Sequence, residues 1–174
     1  SQCRSALSDA QRLLDSCRTM RERPLFNVVM IENIPTRTLV NFPIFHEGAV
    51  QVTSDGVGFL REWEINLRQT KRAILDHNLP RSLFRGVGCR ISEKSLREHD
   101  FKLSGSFVFV ESEHVPEGCE AEVLEAARYL TLYTDHYVND DGSNAELQGL
   151  ETLLAYAEKH HFAIAGDYLG EIIA

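Results

Sequence analysis

Aromatic side chains on predicted strands are the part of this sequence best suited to chemistry, and that chemistry is ligand binding. In residues 128–134 (RYLTLYT), Tyr129 and Tyr133 alternate with leucines. Alternate strand residues point to opposite faces, so we assign the leucines to the core. The aromatic residues assigned to the other face are Tyr129, Tyr133, Phe107 and Phe109. Such a face, closed by a carboxylate, suits a lipophilic ligand, neutral or cationic. Each tyrosine alone also fits a strand residue that only packs.

Catalytic and metal-binding patterns are weak. His160 and His161 are adjacent near the end of a predicted helix, where they point in different directions and cannot share a metal. The acidic loop at 135–141 lacks EF-hand spacing and is interpreted as turn and N-cap chemistry. Four scattered cysteines without C-x-x-C indicate reduced thiols. No G-x-S-x-G, P-loop or H-E-x-x-H motif occurs. We therefore expect no catalytic residue, no metal and no cofactor.

The first half of the chain contains two pairs of predicted strands around one helix. Residues 26–31 (FNVVMI) and 34–42 are rich in β-branched side chains, which favour strands. Residues 55–77 carry apolar side chains at helical spacing with charged ones opposite, which predicts an amphipathic helix. Residues 85–91 and 104–111 predict two further strands.

The second half repeats this order. The strand at 128–134 is followed by a polar turn and by Ser143, with Glu146 three residues later, a capping-box pattern at a helix start. Residues 162–165 and 168–174 predict the last strands. The order strand–strand–helix–strand–strand, present twice, predicts an α+β fold of duplicated halves with an antiparallel sheet and its helices on one face.

The N-terminal segment predicts a helix of its own. Residues 1–23 contain no Gly or Pro, and Pro24 ends the segment. The small or apolar residues at steps of three and four are Cys3, Ala6, Ala10, Leu13, Cys17 and Met20. This heptad spacing fits either an amphipathic helix on its own domain or the end of a dimerising coiled coil. The predicted organisation is a linker helix at 1–23 and a domain at 24–174.

Composition and charge restrict the class of protein. The chain has 174 residues and a net charge of −8, which disfavours nucleic-acid binding over its whole surface. It has no signal-peptide pattern and no apolar run near the roughly 20 residues of a membrane helix. With reduced cysteines, this predicts a cytoplasmic protein. A serine at the start and an apolar end suggest a part of a longer protein.

The order of these segments resembles the C-terminal effector-binding domain of MerR-type, multidrug-responsive transcription regulators, which has the GyrI-like fold. Four matches carry the resemblance: helix 3–20 running into Pro24, the strand at 34–40 that begins with Ile-Pro, the strand at 127–133 with its Arg-Tyr, and helix 147–158 leading into 166–173. They cover nearly the whole chain.

The resemblance implies a site and a set of partners. Glu171 would be the ligand-facing carboxylate, with Tyr168 near it. Lipophilic, often cationic aromatic compounds would bind there, and the protein would form a homodimer through its N-terminal helix. DNA and RNA polymerase would be contacted only through a helix-turn-helix domain ahead of residue 1, and no membrane would be involved.

Other functions stay open at this point. Some stand-alone GyrI-like proteins resemble hydrolases, in which Glu171 would be a general base with a raised pKa. Gyrase-inhibitor relatives suggest a protein-binding module, and Glu171 also fits a solvated acid at a strand end. A hydrolase has no need of the heptad helix, so we expect a regulator and not an enzyme.

Overall fold

The structure, a computed structural model, describes residues 25–45 and 47–172 of an α+β protein with antiparallel sheets. The strands are β1 (Met30–Ile34), β2 (Arg37–Phe42), β3 (Gly88–Ile91), β4 (Leu103–Val110), β5 (Ala121–Leu124), β6 (Ala127–Thr131) and β7 (Tyr168–Gly170). The helices are α1 (Gly56–Asp76), α2 (Glu93–Arg97) and α3 (Ala145–Lys159), with 3-10 turns at Arg81–Gly86 and Ser112–His114. The predicted helix at 1–23 lies outside the described residues.

Five strands form the main sheet in the order β5-β2-β4-β3-β7, and β1 pairs with β6 in a separate two-stranded sheet. The two sheets are parts of one interrupted ribbon. Ile34 pairs with Ala127 and Arg37 pairs with Leu124, so two unpaired residues interrupt each strand and the register is unchanged across the break. Pro35 lies in this break, where its missing N–H cannot contribute to the ladder.

The core lies between one face of the main sheet and the helices α1 and α3. Val40 of β2 and Val108 of β4 belong to one buried cluster with Trp63 and Ile74 of α1 and with Leu150 of α3. The helices therefore pack on the same face of the sheet, as predicted. We call this side the core face.

Both long helices end in the same way. In α3, His161 has a positive φ of 56° and the N–H of Phe162 donates to Ala157 O at 2.8 Å, a Schellman motif. In α1, Asn78 takes the positive φ and Leu79 donates to Ile74 O at 2.9 Å. The residues that follow α3 therefore belong to its C-terminal cap. Residues 162–165 do not form a strand, so that prediction is wrong.

The helix starts were predicted with mixed success. The helix predicted at 55–77 is α1, and the Asp55 side chain caps it by accepting from Gly58 N at 2.9 Å. For α3 the cap is Asn144 and not the predicted Ser143: its Oδ1 accepts from Glu146 N at 3.0 Å and from Leu147 N at 3.4 Å. The helix therefore starts one residue later than the capping box would place it.

Candidate functional site

The second face of the main sheet, which we call the charged face, carries two arginine-centred clusters above an apolar base. Strand alternation and pairing assign to it Arg37, Leu39, Asn41, Gly88, Arg90, Phe107, Phe109, Glu122, Leu124 and Leu169. Leu39 and Phe107 are completely buried. The arginines and their acidic partners are only partly buried and lie nearer to solvent.

The first cluster joins Arg37, Glu171 and Phe109. Arg37 Nη1 donates to Glu171 Oε2 at 2.9 Å, and Arg37 Nη2 donates to Glu171 Oε1 at 2.7 Å, a bidentate ion pair. The guanidinium carbon lies 3.2 Å from the centroid of the Phe109 ring. The Phe109 ring meets Phe107 edge to face, with 5.1 Å between centroids. A cation, a carboxylate and two aromatic rings therefore share one location.

Gly88 explains how Glu171 reaches this face. Cys89 pairs with Gly170, so continuing the register by one residue places Glu171 opposite Gly88, on the same side as Phe107. A Cβ at Gly88 would collide with the Phe107 ring and would lie 2.6 Å from Gly170 O. Only glycine leaves room for the ring at this position.

The second cluster surrounds Arg90. Its Nε donates to Asp167 Oδ2 at 2.5 Å, and its Nη1 donates to Glu122 Oε2 at 2.5 Å and to Asn41 Oδ1 at 2.9 Å. The hydrogen bond to Glu122 raises the pKa of Arg90, and the same bond holds the pKa of Glu122 below its ordinary value. Arg90 is therefore held by three partners.

The structure brings together three of the six residues predicted for the site: Phe107, Phe109 and Glu171. An aromatic face with a carboxylate beside it attracts a cation, because the ring and the acid both present negative potential. In this structure the cation at that place is Arg37, which the sequence analysis did not identify. No local pattern marks Arg37, since its partner Glu171 lies 134 residues away in the chain.

Tyr168 is not beside Glu171, and that expectation is wrong. Tyr168 pairs with Ile91 and lies on the core face, because residues three apart in a strand point to opposite sides. Its hydroxyl donates to Glu146 Oε1 at 2.7 Å, and Cys89 Sγ lies 3.4 Å from the same oxygen. Burial, followed by the charge of Glu146, raises the pKa of Cys89 and Tyr168 well above their ordinary values.

Glu146 is an acidic residue on the core face, and the sequence analysis interpreted it only as part of a helix cap. Because Asn144 supplies the cap, the Glu146 carboxylate turns to Tyr168. Asn144 was the available signal, since asparagine is at least as good an N-cap as serine. With Asn144 as the cap, Glu146 is the second helical residue and not the third, so it is outside a capping box.

Tyr129 and Tyr133 lie on the two-stranded sheet or just beyond it, and the expectation that they share a face with Phe107 and Phe109 is wrong. Tyr129 is on β6, which pairs with β1 and not with β4. Tyr133 OH donates to Glu32 Oε2 at 2.8 Å, and Thr131 Oγ1 donates to the same oxygen at 2.5 Å. Pro35 lies in the break that separates this part of the ribbon from the main sheet.

Two acidic surface features lie elsewhere. A hollow of about 580 Å³ opens in the loop before α3, lined by Asp135, His136, Val138, Asn139, Asp140 and Asp141. Asp141 Oδ1 accepts from Ser143 N at 2.9 Å, so this acid does act in a turn.

Among the described residues, Glu111, Glu113 and His114 bring three candidate ligand atoms within 4.8 Å of one another, on the surface. That metals are not required stays a prediction.

No family model, no curated protein and no solved structure matches this chain. Within residues 25–45 and 47–172, no helix is long and apolar enough to cross a membrane. The link to MerR-type regulators therefore depends on the residue pattern of the sequence alone.

Proposed function

We propose that this chain is the ligand-sensing domain of a MerR-type transcription regulator and that it binds lipophilic aromatic compounds, cationic ones included, on the charged face. The observation that carries the proposal is the cluster of Phe109, Arg37 and Glu171. It joins an acid and an aromatic ring at a single place. The resemblance in segment order supplies the regulatory context.

The chemistry of recognition divides between two residues. Phe109 offers a ring face on which a planar group stacks, and a cation over such a face gains about 0.5–2 kcal/mol. Glu171 offers a carboxylate that is about one-third exposed and selects positive charge. Phe107, completely buried behind Phe109, holds that ring in place through their edge-to-face contact.

The proposal also assigns a route to DNA. Arg37 begins β2, and β1 precedes it, so the site is close in sequence to the segment 1–23. We infer that this segment is a coiled-coil helix that joins two copies and links each to a DNA-binding domain. A ligand then acts by favouring one geometry of the dimer over another. The duplicated halves belong to the same proposal, supported by the shared ending and shared packing face of α1 and α3.

The hydrolase alternative has less support in the geometry. A general base must reach a proton on its substrate, but both oxygens of Glu171 accept hydrogen bonds from Arg37. Turnover of electrophilic esters by the purified chain, lost in Glu171→Gln, would favour the enzyme.

A binding titration tests the sensor proposal. The purified chain is titrated with a panel of aromatic dyes and quaternary ammonium compounds, with fluorescence or calorimetry as the readout. We expect at least one cationic compound to bind with a submillimolar Kd, and Glu171→Gln to weaken it about 10-fold, or about 1.4 kcal/mol. Glu117→Gln, which removes the same charge at an exposed turn, is the control. No submillimolar binding, or equal binding by Glu171→Gln, would overturn the proposal.

A further inference from the structure

We propose that Arg37 is a built-in competitor of the ligand: its guanidinium occupies the place of a planar cation between Phe109 and Glu171, and amidinium-like or guanidinium-like aromatic cations bind by replacing it. This inference rests on the proposed function, because it concerns the same site. It adds the chemical class of the preferred ligand and a residue that controls affinity.

Arg37 makes the two contacts that such a ligand would make. Its two terminal nitrogens donate to the two oxygens of Glu171 at 2.9 and 2.7 Å, and its planar group lies 3.2 Å from the centre of the Phe109 ring. A planar, delocalised cation with two parallel N–H donors can reproduce both contacts. A quaternary ammonium can reproduce only the ring contact, since it has no N–H to donate.

A comparison with Arg90 indicates that Arg37 is the arginine that can leave. The Arg90 side chain is 18% exposed and bonds to Glu122, Asp167 and Asn41. The Arg37 side chain is 32% exposed and forms its ion pair with the Glu171 carboxylate. A partly exposed ion pair of this kind contributes about 1 kcal/mol or less, so a ligand loses little by breaking it.

Displacement has a measurable consequence for affinity. A site that is open only part of the time shows an apparent Kd equal to the intrinsic Kd divided by the open fraction. Removing the competitor therefore lowers the Kd for ligands that take its place. It leaves the Kd of ligands that do not take its place unchanged.

The test compares variants of the chain with three small probes that differ in charge and shape. Benzamidinium is planar and cationic with two donor nitrogens, phenyltrimethylammonium is cationic without donors, and benzamide is neutral. We expect Arg37→Gln to bind benzamidinium about 5-fold more tightly than the natural chain, the factor that corresponds to about 1 kcal/mol, and to bind benzamide with a change below about 2-fold. Arg85→Gln removes an exposed arginine and controls for net charge; we expect no change beyond about 2-fold.

Phenyltrimethylammonium separates competition at the ring from competition at the acid. We expect its gain in Arg37→Gln to be about 3-fold and smaller than that of benzamidinium, because it recovers only the contact with Phe109. An equal gain for both cations would overturn the assignment of ligand class.

A second variant keeps the test decisive if Arg37→Gln does not fold, as judged by circular dichroism. Arg37→Lys retains the charge but lacks the planar fork, so we expect benzamidinium affinity to rise about 3-fold. Unchanged or weaker binding of benzamidinium in the folded variant would overturn the inference. If the natural chain binds cations through Glu171 and the variant gains nothing, this inference alone fails. If neither protein binds any cation, the proposed function fails with it.

Discussion

Two carboxylates make side-chain contacts near strand β7, on opposite faces of the main sheet. Glu171 contacts Arg37, and Glu146 contacts Tyr168. On the charged face, Glu171 is held by a charged, partly exposed arginine. On the core face, Glu146 is held by the phenol of Tyr168 and lies against the thiol of Cys89. The two acids have similar chemistry, but their partners differ in charge and in exposure.

The difference in partner charge and exposure indicates which of the two carboxylates can exchange its partner for a ligand. An ion pair near solvent is screened and can be replaced by another cation at small cost. Glu146 is half-buried on the core face and accepts from Tyr168, so removing this donor leaves a charged acceptor poorly satisfied, and the contact is more costly to break. We therefore assign binding to the Glu171 side and stability to the Glu146 side.

The largest expected effect comes from Gly88, which packs against Phe107 on the charged face. Gly88→Ala would force the Phe107 ring and the backbone of Gly170 to move, so we expect the free energy of unfolding to fall by about 3 kcal/mol. Urea denaturation measures this change. Gly86→Ala, where an added Cβ meets nothing within 4 Å, is the control and should change stability by less than about 0.5 kcal/mol. Equal stability of the two variants would contradict the close packing described here.

The next largest effect is expected when the hydrogen bond between Tyr168 and Glu146 on the core face is removed. Tyr168→Phe removes the hydroxyl that donates to Glu146, and we expect a loss of about 2 kcal/mol in unfolding free energy. Tyr129→Phe serves as the control, because within residues 25–45 and 47–172 the Tyr129 hydroxyl makes no hydrogen bond, and it should cost less than about 0.5 kcal/mol. A loss for Tyr168→Phe no greater than for the control would place Tyr168 outside the stabilising contacts.

Alkaline pH tests the core face in a second way. Cys89 has a pKa raised above 9.0 in the folded state, so the unfolded chain loses this proton first and stability falls as pH rises above about 9.0. The slope from one such group reaches about 1.4 kcal/mol per pH unit. Cys89→Ala should reduce this slope in chemical denaturation, and an unchanged slope would contradict the assignment.

Acid pH tests the charged face, where stability is expected to fall as the pH falls. The pKa of Glu122 is held below 4.5 by Arg90, so its contribution is present above 4.5 and is lost as pH falls through the folded-state pKa. Glu122→Gln should flatten the acid limb of the stability curve while leaving the alkaline limb unchanged. A change in the alkaline limb would show that the two faces do not titrate independently.

The smallest effect is expected at Glu171 itself. Glu171→Gln should lower the free energy of unfolding by less than about 1 kcal/mol, because the pair with Arg37 is partly exposed. Thermal unfolding in low and high salt checks this, since about 1 M salt should remove the difference. A cost as large as that of Tyr168→Phe would remove the contrast between the two acids.

Much of the fold was predictable from local patterns, whereas the site was predictable only in part. The helix α1 follows from its apolar stripe and the Asp55 cap, which are local features. The separation of Tyr168 from Glu171 follows from strand alternation and was available in the sequence. The pairing of Glu171 with Arg37 was not, because it joins distant segments through the order of the strands in the sheet.

The break in the ribbon has a geometric consequence. Only Pro35 and Thr36 join β1 to β2, and Thr36 Oγ1 accepts from Ala126 N at 3.2 Å across the break. Residues 125 and 126 likewise join β5 to β6, and the proline ring fixes one torsion angle, so few backbone torsion angles set the direction of the arm formed by β1 and β6. Arg37 is the first residue beyond this break, and the five residues of β1 extend about 16 Å from it. A small change in the torsion angles at this break would therefore displace the far end of the arm by several ångströms.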